Sequence, residues 1–169
     1  CSPERLVSLR DSVLTTRPIK GTRPRGRYSS EDEKFERDLL ASSKEAAELS
    51  MIVDLMRNDL GRICEAGSVR VLKHREIERY SHVMHTVSTV IGRLKKGCMA
   101  ADVIASVFPG GSVTGCPKKR TMEIIHELEE FHRDVYCGSA GYLSMSGNMD
   151  LNILIRTLLI KNGTVYFHS

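Results

Sequence analysis

The sequence predicts an α+β fold with antiparallel β-sheets flanked by helices. Three observations carry this. Helical apolar spacing dominates residues 30–59 and 100–131, the period changes to two after Phe131, and the hairpin dipeptides Gly147-Asn148 and Asn162-Gly163 separate the late strand-like runs. No regular alternation of strand and helix points to a parallel sheet.

In chain order, Leu6–Leu9 and Ser12–Arg17 read as short strands, and Pro18–Tyr28 reads as a basic loop punctuated by Gly and Pro. Ser30 and Glu33 have capping-box spacing, and Phe35, Leu39, Ala46, Leu49, Val53 and Met56 follow at helical steps, so one long helix is expected over Ser30–Asp59. Gly61 and Gly67 end it, and Ser68–Leu72 reads as a strand. A second helix is expected over Ser81–Lys95, because Val83, Val87, Val90, Ile91 and Leu94 share a stripe ahead of a Lys-Lys-Gly stop. A short helix follows over Ala100–Phe108, then the glycine-rich loop Pro109–Cys116. Pro117 opens a fourth helix with Met122, Ile125 and Leu128 on its apolar stripe. Cys137–Met145, Met149–Ile160 and Val165–Phe167 read as strands of an antiparallel meander.

Composition narrows the class. The 169 residues are 41% hydrophobic and 27% charged, which excludes wholesale disorder and collagen-like repeats. No apolar run approaches the ~20 residues of a membrane-spanning helix, and no signal peptide opens the chain, so a cytoplasmic protein without membrane contact is expected. The five cysteines are widely spaced and form no zinc-ligand cluster, which favours free thiols in a reducing compartment. The chain starts beside a strand and stops inside an alternating pattern, so an internal piece of a longer protein is expected. The net charge of +4 is diluted by interleaved acids, except at Lys20, Arg23, Arg25 and Arg27, a stretch that calls for an anion.

Several residues carry candidate chemistry. The glycine-rich loop before a helix suits anion binding as well as plain helix entry; Cys116-Pro117, where a phosphate-binding P-loop needs Lys and Ser/Thr, disfavours a nucleoside triphosphate. Lys20, surrounded by cations, is either a solvated lysine or an amine with a lowered pKa fit for nucleophilic attack. Glu48 is a rim residue or a hard-cation ligand. Asp54, Arg57, Asn58 and Asp59 read as an ion-pair network closing the long helix. His82 and His85 would share a helix face as surface or core histidines or as a metal pair. Arg156 is the one charge within Leu151–Ile160 and needs a carboxylate partner, from the protein or from a substrate.

The wording and order of five segments are more specific than any single signal. They are "TRPIKGTRPRG" (16–26), "MIVDLMRNDLGRI" (51–63), "HTVSTVIGRL" (85–94), "FPGGSVTGCPKKRTMEIIHELE" (108–129) and "CGSAGYLSMSGNMDLNILIRT" (137–157). Together they resemble the chorismate-utilising enzymes, which include anthranilate synthase component I, aminodeoxychorismate synthase component I and the isochorismate and salicylate synthases. The resemblance covers essentially the whole chain. Within the family it leans to the aminodeoxychorismate synthases, because Lys20 stands where anthranilate synthases typically have alanine. Cys116 and Lys119 depart mildly from the family pattern.

The resemblance implies a division of labour. Residues 1–169 would be a partial chorismate-binding catalytic domain, lacking an N-terminal half and a C-terminal end that carries a second metal-binding glutamate and a substrate lysine. Glu48 would bind Mg2+, Glu4 would act as general acid on the departing C4 hydroxyl, and Lys20 would add at C2 before ammonia enters at C4 and expels the lysine. His85 would line the pocket near the C4 oxygen. Tyr136 and Arg156 would hold the enolpyruvyl carboxylate, and Thr22, Gly111, Ser112, Thr114 and Gly115 would complete an anion-binding wall. Ammonia would come from a glutamine amidotransferase partner, for para-aminobenzoate and folate synthesis. The basic loop leaves a nucleic-acid-binding module as a rival, which the interleaved acids and the lack of aromatic and basic alternation weaken.

Overall fold

The computed structural model describes residues 3–168; Cys1, one of the thiols expected free, and Ser169, the end of the expected alternating pattern, lie outside them. The strands are β1 (Arg5–Arg10), β2 (Val13–Arg17), β3 (Ile19–Pro24), β4 (Arg70–Arg79), β5 (Val83–Arg93), β6 (Gly141–Leu143), β7 (Met149–Asn152), β8 (Leu159–Lys161) and β9 (Thr164–Tyr166). The helices are α1 (Ser29–Ala41), α2 (Ser43–Ile63), α3 (Ala100–Val107) and α4 (Lys118–Leu128). All pairings are antiparallel, as expected for the α+β class.

The main sheet is organised on β5. Val87 pairs with both Ile19 and Glu76, and Val90 pairs with both Thr16 and Val71. One edge of β5 is therefore taken by β4 and the other by β2 and β3 laid end to end. Pro18 separates these two because it has no N–H for the ladder, while its carbonyl still accepts the Ser88 N–H at 3.1 Å. From β2 the sheet continues through β1 and β7 to β6, and β8 and β9 form a separate hairpin.

Helix α2 closes one face of the sheet. Leu49, Ile52, Val53, Met56, Leu60 and Ile63 recur at helical spacing and join Leu6, Leu14, Val90 and Met149 from the strands and Val103 and Val107 from α3 in one buried cluster. Burial of this stripe, at roughly 1.5–3 kcal/mol per large side chain, is what holds α2 to the sheet.

Four expectations are corrected. Ser81–Lys95 is not a helix but β5, because Val83, Thr86, Val87, Thr89, Val90 and Ile91 are β-branched, crowd a helix and fit a pleated surface. Its burial on both faces removes the alternation that marks a half-exposed strand. The single helix expected over Ser30–Asp59 is two, since Ser42 leaves helical geometry and its hydroxyl accepts the Glu45 N–H at 3.3 Å as the cap of α2. The basic loop over Pro18–Tyr28 is largely strand β3. The run expected over Met149–Ile160 ends as a strand at Asn152, and Arg156 sits at a φ of 50°, where the chain turns away. In addition, β4 extends well past Leu72 through the polar stretch to Arg79, an exposed edge whose sequence carries no apolar alternation.

Leu49 is fully buried beneath the sheet, so Leu49→Ala in the intact polypeptide is expected to cost about 2–5 kcal/mol, read as a lower urea midpoint at unchanged slope. An unaltered midpoint would mean that α2 does not carry the core.

Candidate active site

A register shift in β3 builds the site. Lys20 pairs with Thr86 and Thr22 with His85, which leaves Gly21 as the extra residue of a bulge at a φ of 86°. A Cβ on Gly21 would stand 2.7 Å from Leu39 Cδ1 and 3.1 Å from the Glu45 carboxylate. Glycine thus satisfies both the positive φ and the close approach of β3 to the helices. The bulge aims the flanking side chains at different partners. Lys20 Nζ reaches Glu48 Oε2 on α2 at 2.9 Å, and Thr22 Oγ1 bonds His85 Nδ1 at 2.9 Å.

These residues border a cavity of about 310 Å3, where Glu4, Lys20, Thr22, His85, Ser112 and Arg156 converge and Ile52 and Ile155 supply apolar wall. Other cavities are larger, one of about 400 Å3 between Phe108, Met122 and Phe131 among them. The smaller cavity is the better candidate because charged groups from distant parts of the chain meet there.

Burial sets its electrostatics. Glu4 is 6% exposed, and burial pushes its carboxyl up to about 7, against the opposing influence of the Ser112 hydroxyl and the Lys20 and Arg156 cations. Glu4 Oε1 and Ser112 Oγ are both buried on the cavity wall, and neither makes a hydrogen bond of ordinary geometry to another group. Burial also holds the His85 imidazole below its usual range, a shift that the Gly21 backbone opposes and Arg156 reinforces, so His85 is neutral at pH 7. Its ring packs against Tyr80, with centroids 5.7 Å apart. Glu48 is held below the usual carboxylate range, first by its hydrogen bond from Lys20.

The basic stretch finds its anions within the chain. Besides Lys20 and Glu48, Arg23 pairs with Glu45 at 3.1 Å and Arg25 with Asp32 at 2.6 Å, so α1 and α2 neutralise three of the four cations. Arg156 differs, since no carboxylate among the described residues pairs with it.

Not every expected residue comes to the cavity. Gly111 is buried against Leu55 beside Ser112 but does not line the cavity, and the Thr114 hydroxyl turns back to the Gly110 carbonyl at 2.9 Å. Gly115, at a φ of 143°, packs on Thr121. Tyr136 lies elsewhere, stacked on His168 at 4.7 Å with Arg133 over its ring. His82 and His85 do not share a helix face, because His85 is a buried residue of β5 and His82 precedes that strand on the surface. The expected Asp54–Asp59 network also divides. Asp54 pairs with Arg57 at the surface, whereas Asp59 is fully buried and bound 2.7 Å from Lys118, a partner the sequence reading missed because nothing local links them.

Glu48 does not line the cavity but pairs with Lys20, which does; as a hard oxygen donor it would suit the expected Mg2+ as one ligand. Among the described residues, no three His, Cys, Asp or Glu side chains are grouped so as to hold a metal ion.

A buried acid, a lysine and an unpaired arginine around one small cavity define a pocket for a small anionic ligand, held on an antiparallel sheet. The chain belongs to the family of chorismate binding enzymes, whose pattern matches residues 1–169. It is 53% identical over 168 residues to anthranilate synthase component 1 of Aquifex aeolicus, covering 99% of this chain and 34% of that protein. It is 51% identical over 168 residues to aminodeoxychorismate synthase component 1 of Bacillus subtilis, covering 99% of this chain and 36% of that protein. Among solved structures, anthranilate synthase component I of Streptococcus pneumoniae superposes with a TM-score of 0.87 at 46% identity, over 97% of this chain and 36% of that one. The menaquinone-specific isochorismate synthase MenF of Escherichia coli gives 0.84 at 26% identity, over 96% and 37%. The chain spans about a third of the length of these relatives.

The Glu4 carboxyl makes stability depend on pH. Between the ordinary glutamate value of 4.5 and about 7 the folded state keeps a proton that the unfolded chain has released. Stability therefore falls as pH rises through that window, by about 3 kcal/mol. Glu4→Gln lacks this dependence, so its stability relative to the parent should rise by about 2 kcal/mol between pH 5 and pH 8 in urea unfolding of the intact polypeptide. An equal difference at both pH values would show that Glu4 titrates normally.

Proposed function

We propose that the polypeptide carrying this chain aminates chorismate at C4, giving 4-amino-4-deoxychorismate. The observation that carries the reading is Lys20, whose ammonium borders the cavity that holds the protonated Glu4 and the unpaired Arg156. Within the family resemblance, lysine at this position belongs to the aminodeoxychorismate synthases. Anthranilate synthase is the second reading, favoured by relatives of that name at 53% identity.

The residues suit the task chemically. Chorismate is a dianion with a C4 hydroxyl. Arg156 would pair with one carboxylate, and Ser112, on the cavity wall beside Glu4, would hydrogen-bond the ligand. Glu4, protonated near neutrality, would give its proton to the departing C4 hydroxyl, which leaves as water. Lys20 would add at C2 as that bond breaks, and ammonia would then form the C4–N bond and expel the lysine. The net exchange is ammonia in and water out. Attack requires Lys20 as the free amine, so its ion pair with Glu48 must open and its proton must leave. Mg2+ bound through Glu48 would neutralise substrate carboxylate charge and take the place of the lysine at that carboxylate. His85, neutral and held by Thr22, would orient the ring without adding charge.

Ammonia would come from a glutamine amidotransferase partner, and the setting would be cytoplasmic para-aminobenzoate and folate synthesis. No described helix is long and apolar enough to cross a membrane.

The test is product identification by mass spectrometry after the intact polypeptide meets chorismate, Mg2+ and ammonium. The expected product is C4-aminated, and Lys20→Ala should lose it by a factor on the order of a thousand, the loss typical of a missing covalent nucleophile. Anthranilate from the parent would establish the second reading, and undiminished C4 amination by Lys20→Ala would overturn the covalent role.

A further inference from the structure

The loop between α3 and α4 carries Ser112 to the cavity, yet its ends are fixed by a group that touches no part of the cavity. Lys118, the first residue of α4, donates from Nζ to Asp59 Oδ2 at 2.7 Å and to the Val107 carbonyl at 3.3 Å. Val107 ends α3, so one ammonium ties the start of α4, the end of α3 and the C-terminal part of the sheet-covering helix α2. The Asp59 side chain has no exposure, and its other oxygen has no hydrogen bond, only Arg62 at 3.6 Å. The Asp59 backbone carbonyl accepts the Ser106 hydroxyl at 2.6 Å, which binds α3 to the same point.

Between these ends the loop presses inward. A Cβ on Gly110 would stand 2.8 Å from Ile153 Cδ1 and 3.3 Å from Leu6 Cδ1, and Gly111 rests on Leu55. This depth puts Ser112 and Val113 on the cavity wall beside Glu4. The Val113 carbonyl has a second anchor in Arg133, at 2.8 Å. A buried charge pair is a costly way to join two helices, since apolar side chains of similar volume serve stability as well. What it adds is a fixed geometry.

We propose that Lys118 is a positioning residue: its ion pair with buried Asp59 and its bond to the Val107 carbonyl clamp both ends of the 108–117 loop and set Ser112 against Glu4. The clamp acts on the cavity assigned above to chorismate, so its catalytic consequence rests on that reading, while its effect on the loop does not.

Two measurements on the intact polypeptide separate these. The probe of the loop is amide hydrogen exchange at residues 110–114 without substrate. Lys118→Met leaves Asp59 unpaired and can fail to fold, so the informative variant is Asp59→Leu combined with Lys118→Met, which removes both charges. Faster exchange confined to the loop is expected, whereas Lys118→Arg alone, which keeps a cation for Asp59, should retain slow exchange. With chorismate, kcat of the double variant should fall on the order of tenfold to a hundredfold with KM nearly unchanged, because the acid beside Ser112 acts in the transition state. Adding Ser112→Ala to the double variant should then cost little more, since the two changes remove one effect. Parental loop exchange in the double variant would overturn the clamp. Additive losses with Ser112→Ala would overturn its action through Ser112. Failure of the double variant to fold would also count against it, because the pair would then be structural. If the parent does not turn over chorismate, the function assigned above fails and the exchange result still decides the clamp.

Discussion

The structure depends on β5 being hydrogen-bonded along both edges. A strand so used must sit inside the sheet, and its polar residues His85, Thr86 and Ser88 are buried with it. Their needs then shape the surroundings: Thr22 bonds His85, the Lys20 carbonyl accepts the Thr86 hydroxyl, and Ser88 bonds His74 at 3.1 Å and the Arg75 N–H at 3.2 Å. The break at Pro18 lets two strands share one edge of β5. It also lets β3 bulge at Gly21, which delivers Lys20 to α2 and Thr22 to His85.

Charge is distributed around the cavity by the same logic. Cations on β3 and just after it meet carboxylates on α1 and α2, so most of the basic stretch is paired on the protein itself. Glu4 and Arg156 are handled differently. The acid is buried with its carboxyl pushed up to about 7, and the guanidinium lacks a carboxylate within ion-pair distance among the described residues. An uncharged acid beside an unpaired cation leaves the pocket net positive, the condition a dianion needs.

Much of the candidate site was legible because its residues lie in short segments of distinctive wording. Lys20, Thr22, Glu48, Glu4, Ser112 and Arg156 were each named from the sequence, and the structure brings them to or beside one cavity. Tyr136 was placed with them by resemblance, but in this structure its ring stacks on His168. The helix expected over Ser81–Lys95 failed for a definite reason: an apolar run buried on both faces has no period, and only the β-branched side chains told strand from helix. Asp59 and Lys118, 59 residues apart, could not be paired by reading, since each had nearer partners of opposite charge.

The sequence by itself determined the α+β class, the apolar stripe of α2, the hairpin turns, the family resemblance and the lysine on which the proposed reaction rests. These are local properties, fixed by side-chain periodicity, by turn residues with a preferred φ and by the order of motifs. The tertiary structure decided which strand became the spine of the sheet, which cations were already satisfied, which acid kept its proton and which ammonium closed the loop under Ser112. Those outcomes turn on burial and on distances between residues far apart in the chain, and both exist only once the chain has packed.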